Sequence, residues 1–383
     1  MDLSWTKEQI EYKQKVIDFA KNHLNNEVVE RDRDCVFSRN DWQKCADFGI
    51  QGLASPKKYG GQNEEVDILT ATLAMEGLGY GCRDNGFPFS LNAQMWTVQL
   101  PIAQFGTEFQ KNKYLKNLTS GKWIGCHGLT ETNAGSDVFN METIAEKVDG
   151  GYLINGSKRL ITFGPIADIA LIFALTNPKL GKWGVSGFII EKGTKGFSVS
   201  ENKPKMGMRT VPLGDLIFKD CFVPEENRLG KEGAGWSITI SSLEYDRCSI
   251  LASQLGAMEY QLESTIKFVK NRKQFGKSIG EFQSISNRIA NMKLRVETSR
   301  LLLYQVAWLK KQGKSAMMEA ALLKLHLSES FVASSMDAIR CHGGSGYLTE
   351  HEIERNLRDA MGGVIYAGTS DIQRNIISKT LGL

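Results

Sequence analysis

A chain of 383 residues, 42% hydrophobic and 23% charged, is long enough for two or three packed units with a substantial core. Its net charge of +4 is spread along the sequence, too mild for a nucleic-acid binder, and no apolar run reaches the ~18–20 residues that a membrane-spanning helix needs. Seven dispersed cysteines with no C-x-x-C, and five histidines with no i, i+4 pair, argue against a disulfide framework and against a metal site.

The opening MDLSWTKEQI is acidic and polar where a secretory signal would be basic and then apolar, so a cytoplasmic protein is expected. Thr6 and Gln9 fit a capping box that starts a helix at once. VDILTATLAMEGLGYG and the segment from Glu108 to Leu118 carry apolar residues at spacings of three and four, and residues 1–120 read as an N-terminal helical domain. Between 121 and 230 the texture changes. Asn155-Gly156 is a two-residue hairpin signal, and DIALIFALT, WGVSGFIIE and LIFKDCFV read as strands, which predicts a middle antiparallel β domain.

The helical period returns for residues 231–383. One apolar face runs from Ile240 to Val269; further helices are predicted from Ile285 to Lys311, closed by Gly313, from Ala316 to Arg340, and from Ser370 to Thr380. Long helices on short loops predict a C-terminal four-helix bundle, and the fold class is α+β in the order helices, sheet, helices.

Four separated stretches are specific beyond periodicity: GLTETNAGSD, YLINGSKRLIT, NRKQFGKSIGEFQ and CHGGSGY. Together, and in this order along nearly the whole chain, they resemble the acyl-CoA dehydrogenase family. The resemblance implies an FAD enzyme, usually a homotetramer, that oxidises the α,β bond of a thioester. It places Leu129, Thr130 and Ser136 at the flavin or its junction with substrate, and Thr162 at the redox-active edge of the ring. Many relatives have a Trp where Leu160 stands, so this flavin face is more open. Arg272 is expected on the FAD pyrophosphate, where a planar fork of donors suits the anion, with Gln274 and Phe275 beside it across a subunit boundary. Arg340, Gly343 and Gly344 resemble the loop that closes over the other end of the cofactor, and Thr369 and Asp371, after the terminal turn, are expected to bind the cofactor too.

That turn, VIYAGTSD, raises the question of the base. Many relatives carry a Glu at the position of Ala367, whose methyl group can take no proton. The Ala367 amide, next to Gly368, survives to polarise the thioester carbonyl. One branch of the family places its acid immediately before an Arg on the long helix, and SSLEYDRCS supplies Asp246 before Arg247. Glu244 lies two residues earlier, roughly 200° away around a helix, and is the alternative. The expectation is relocation of the base, not its loss.

The open position at 160, the missing Glu at 367, the TSD after Gly368 and the VSGFII segment resemble the branch that oxidises prolyl or other aminoacyl groups on a peptidyl carrier protein in natural-product biosynthesis. Alternatives are an acyl-CoA dehydrogenase for short or branched chains, a flavin-dependent N-hydroxylase on the same fold, and a non-catalytic flavoprotein. The mild positive charge suits an acidic carrier protein or the phosphates of CoA alike.

Overall fold

A computed structural model describes residues 4–383; the first three residues of the expected N-terminal domain lie outside it. The capping box forms, with the Gln9 amide N–H donating to Thr6 Oγ1 at 3.2 Å and the Thr6 N–H to Gln9 Oε1 at 3.1 Å, and it starts helix Lys7–His23. Helix Ile68–Gly81 is apolar almost all round and is buried accordingly, against the long helix Gly235–Asn271. Their contact is backbone to backbone. A Cβ on Gly79 would sit 1.9 Å from the Ser253 carbonyl oxygen, and one on Gly256 would sit 2.0 Å from that of Glu76, so only glycine fits either position. The segment Glu108–Thr119 is helical as its spacing predicts, with one π-helical turn at Lys111–Leu115 that keeps Tyr114 and Leu115 buried.

The middle region is an eight-stranded sheet: β1 (Gly125–Gly128), β2 (Ile144–Val148), β3 (Gly151–Thr162), β4 (Ile169–Leu175), β5 (Val185–Glu191), β6 (Phe197–Val199), β7 (Leu213–Pro224) and β8 (Arg228–Leu229). Its order is β6-β7-β3-β2-β4-β5-β8, with β1 paired to β4. Most neighbours are antiparallel; β1 and β2 run parallel to β4. The apolar runs of β4 and β5 are buried on both faces, while β7 alternates.

Asn155-Gly156 is not the hairpin turn that its sequence suggests. β3 runs straight through it, and the β2–β3 turn is Asp149-Gly150, with Gly150 at φ +74°. Asn155 instead bonds across to β7: its side-chain amide donates to Asp220 Oδ1 at 3.1 Å and its oxygen accepts the Asp220 N–H at 2.8 Å. The ladder to β7 shifts register there, so the signal marks a bulge.

The C-terminal region holds three long helices, Gly235–Asn271, Gln283–Lys311 and Met317–His342, and then two short ones, Ile353–Gly363 and Ser370–Thr380. Gly313, at φ +68°, caps the second, its N–H donating to the Lys310 carbonyl at 3.0 Å. Helix Ile353–Gly363 was not expected. Its apolar residues Ile353, Leu357, Ala360 and Met361 do keep the helical spacing, but over only about three turns, and its buried positions include Arg355 and Asp359. No helix of the described residues is long and apolar enough to cross a membrane.

Candidate active site

The long helix carries Asp246 and Arg247 inward. Asp246 is 3% exposed, and its Oδ1 has no hydrogen-bond partner. Burial pushes its carboxyl up to about 7, with the Arg247 guanidinium pulling the other way. Arg247 reaches across to the C-terminal turn, where its Nε donates to the Ala367 carbonyl at 3.3 Å.

That turn is shaped by its neighbours. Gln373 Nε2 donates to the carbonyls of Ala367 (3.3 Å) and Gly368 (2.9 Å), and Thr369 Oγ1 accepts the Ile372 N–H at 3.2 Å to cap the last helix. Ala367 is held at φ +52°, a left-handed conformation that costs a residue with a Cβ roughly 1–2 kcal/mol. Its N–H donates no hydrogen bond within the described chain. A left-handed turn with an uncommitted amide, tied through Arg247 to the helix that buries Asp246, is a candidate site.

Tyr366 lies between the turn and the helix. Its hydroxyl accepts from Gln254 Nε2 at 2.6 Å, its ring is 4.7 Å from that of Phe89, and burial and the Asp246 charge raise its pKa. Gln254 is buried with its Oε1 unpartnered. Phe89, Ser253, Gln254, Phe331, Asp359 and Tyr366 line a narrow crevice at this point. Gln254 has no short-range motif; its position two helical turns beyond Asp246 is the only signal that could have found it.

Glu244, the alternative base, is committed elsewhere. Its Oε2 accepts from Lys310 Nζ at 2.7 Å and from the Ala316 N–H at 3.3 Å, and its Oε1 from Ser315 at 3.3 Å. It ties the long helix to the loop between the next two, on a different flank from Asp246. The structure therefore separates two acids that the motif left as alternatives, because their helical angles send them to different neighbours.

On the sheet, the loop after β1 and the end of β3 come together. Thr130 accepts the Arg159 N–H at 2.7 Å, and buried Lys158 pairs with Glu131 at 2.6 Å while also donating to the Leu129 carbonyl at 3.3 Å. Burial pushes Lys158 down to about 8 against the pull of Glu131. Burial acts to raise Glu131 too, but Lys158 and the hydrogen bonds from Thr143 and Glu142 hold it below its ordinary value. A lysine on an inward position of β3, between exposed Ser157 and Arg159, was the missed signal. This clamp presents half-buried Leu129, Thr130 and Thr162 beside Leu160, which is 53% exposed at φ +59°. Ser136 is exposed on the following loop.

The other expected cofactor residues lie at the far end of the long helix. Arg272, 26 residues beyond Asp246 and so about 39 Å along the axis, starts a ribbon in which Gln274 pairs with Lys277. Phe275, at its tip, is 94% exposed at φ +52°. His342 stacks on Phe268 at 4.2 Å, which sets exposed Gly343 and Gly344 beside this end; Arg340 is exposed and 3.7 Å from Asp337. Asp371 is exposed and paired with Arg374 at 3.0 Å. Asp371 thus lies apart from the Arg272 end, on the last helix just after the Ala367 turn.

The whole of this architecture has close counterparts. Family models for the acyl-CoA dehydrogenase N-terminal, middle and C-terminal domains match residues 6–122, 126–221 and 233–382. An L-prolyl-[peptidyl-carrier protein] dehydrogenase of Pseudomonas fluorescens is 43% identical over 91% of each chain, and a short-chain-specific acyl-CoA dehydrogenase of Megasphaera elsdenii is 38% identical over 100% of each. The crystal structure of the prolyl acyl carrier protein oxidase AnaB superposes with a TM-score of 0.97 at 46% identity, covering 99% of this chain and 100% of that one. The structure described as PigA with FAD and proline superposes at 0.97 with 40% identity, covering 100% of both chains. The chain belongs to the acyl-CoA dehydrogenase family.

Proposed function

We propose that this chain is an FAD-dependent oxidase or dehydrogenase of a prolyl or related aminoacyl thioester carried on a peptidyl carrier protein, acting in natural-product biosynthesis. The observation that carries the reading is Asp246: buried, with one oxygen unpartnered, raised to about 7, and joined through Arg247 to a turn whose Ala367 amide is free. Prolyl-carrier relatives at 40–43% identity over 91–100% of the chain support the substrate class.

The residues present fit the cofactor. Leu160 leaves an open apolar face beside the Thr130 and Thr162 hydroxyls, and Arg272, Gln274 and Phe275 offer a cation and an unburied ring at a second position. Leu129, Thr130, Ser136, Leu160 and Thr162 would hold the flavin ring, and Arg272, Phe275, Arg340, Gly343 and Gly344 the distal half. The ~39 Å between Asp246 and Arg272 supports giving those distal residues to the cofactor of a neighbouring subunit, in a homotetramer of three-domain protomers divided near residues 120 and 230. A cytoplasmic location belongs to the same reading.

Bound FAD would supply a two-electron acceptor for hydride from the substrate. The chain supplies the rest. The Ala367 N–H donates to the thioester carbonyl and steadies negative charge developing there. Asp246, at a pKa near neutrality, takes the proton from the α carbon. Arg247 acts as a positioning residue: with Gln373 it holds the Ala367 carbonyl and so anchors the turn that carries the amide.

The test is anaerobic bleaching of the oxidised flavin by a panel of prolyl and other aminoacyl carrier proteins beside short and branched acyl-CoAs. Bleaching by the carrier-bound amino acid is expected. Bleaching by acyl-CoA alone would overturn the substrate class, and bleaching by neither would overturn thioester oxidation.

A further inference from the structure

Away from the crevice, one large aromatic ring stands on the surface and is backed by two half-buried ones. Trp183 is 54% exposed on the loop between β4 and β5, next to exposed Leu180. Its ring is 6.3 Å from that of Trp236, which in turn meets Phe139 edge-on at 4.5 Å. The Lys182 ammonium lies 4.2 Å over the Trp236 ring and 5.2 Å from that of Trp183. A cation held over rings keeps its charge available to a partner.

Uncommitted charge on the segments around the rings is mostly basic, three lysines against exposed Asp137. Lys179, Lys182 and Lys231 are exposed and make no ion pair among the described residues. The nearby acid, Glu232, is occupied by Tyr152 at 2.8 Å, Arg228 at 3.5 Å and Lys147 at 3.9 Å. Gly233 fastens the loop to the entry of the long helix, since a Cβ there would fall 2.7 Å from the Trp183 carbonyl. The ridge is thus a fixed surface, aromatic at its centre and basic around it.

Its place in the fold points to its use. Trp236 is the second residue of helix Gly235–Asn271, and Asp246 lies ten residues further along it, about 15 Å along the axis. Phe139 follows Ser136 on the loop beside the proposed flavin face. A substrate tethered to a carrier by a flexible arm needs its carrier to rest outside the site, within reach of the base. An acidic surface on that carrier complements free lysines, and exposed Trp side chains are the residues that anchor such contacts.

We propose that the ridge of Trp183, Trp236 and Phe139, with Lys179, Lys182 and Lys231 around it, is the docking surface for the acidic carrier protein. The inference rests on the carrier-bound substrate proposed above. It is tested by comparing Trp183→Ala and the double variant Lys179→Glu/Lys182→Glu with the parent holoenzyme, using one prolyl group presented on a peptidyl carrier protein and on free pantetheine.

The expected result is a KM for the prolyl carrier raised about 10-fold or more, with kcat and the turnover of prolyl-pantetheine unchanged. For the charge variant, the salt dependence of the carrier reaction also falls. Unchanged KM on the carrier overturns the ridge, as does an equal rise for both substrates. A change in oligomeric state would make the ridge an interface between copies of the chain, and slowed flavin reoxidation with normal carrier KM would assign it to an electron acceptor; either overturns the proposal. If the parent enzyme oxidises prolyl-pantetheine but no carrier-bound amino acid, the carrier reading itself fails and the ridge with it.

Discussion

Two buried acids in this molecule share depth and differ in company. Glu131, on the sheet side, is paired with Lys158 at 2.6 Å and accepts the amides of Glu142 and Thr143, so its charge is fully compensated and held below its ordinary pKa. Asp246, on the helical side, has a guanidinium nearby on its own helix but no hydrogen bond to Oδ1, and rises to about 7. The first arrangement holds backbone in place; the second leaves a group able to change protonation state. Burial alone does not make a base. Burial with an unpartnered oxygen is what makes Asp246 the candidate.

The largest effect should come from removing the open acid. Asp246→Asn is expected to slow flavin reduction by about 10²–10⁴-fold while the flavin absorbance of the purified protein stays intact; loss of bound flavin would instead make Asp246 structural. Breaking the closed pair should do the converse. Lys158→Met, which strands Glu131, is expected to destabilise the fold by about 3–5 kcal/mol in denaturant titration, and the Leu129–Thr130 loop should lose flavin before it loses chemistry. Glu244→Gln lies between the two. It weakens the anchor to Lys310 by about 1–3 kcal/mol, yet the pH dependence of flavin reduction should keep its midpoint. A shifted midpoint would return Glu244 to candidacy as the base.

pH sharpens the contrast further. Asp246 has a folded pKa raised from 3.8 to about 7, so the folded state binds more protons than the unfolded one between those values. Its contribution to stability therefore falls as pH rises through that window, while the rate of flavin reduction rises toward a plateau above about 7. Both slopes should disappear in Asp246→Asn, the rate slope together with the rate. The smallest expected effect is that of Ala367→Gly. Glycine accepts the left-handed φ and keeps the amide, so stability should move by no more than about 1 kcal/mol and turnover should survive.

The legible parts of the chain were those written in neighbouring residues. The capping box at Thr6, the long apolar face from Ile240, the cap at Gly313 and the last helix Ser370–Thr380 all follow from spacing of a few positions. Asn155-Gly156 misled because its partner, Asp220, is 65 residues away, and that partner turns a hairpin signal into a bulge. Helix Ile353–Gly363 carries its apolar spacing, Ile353, Leu357, Ala360 and Met361, over only 11 residues, which is short for a pattern to stand out between two loops.

The α, β, α order, the family and the two candidate bases, Glu244 and Asp246, could all be read along the chain. Periodicity and motif are local, and local rules suffice for them. The two acids are told apart only once the helices pack, because the partners that occupy Glu244 come from Lys310, Ser315 and Ala316, and the turn at Ala367 is 120 residues from Arg247. A pKa depends on what surrounds a group in space, and that surrounding is assembled only when the helices pack.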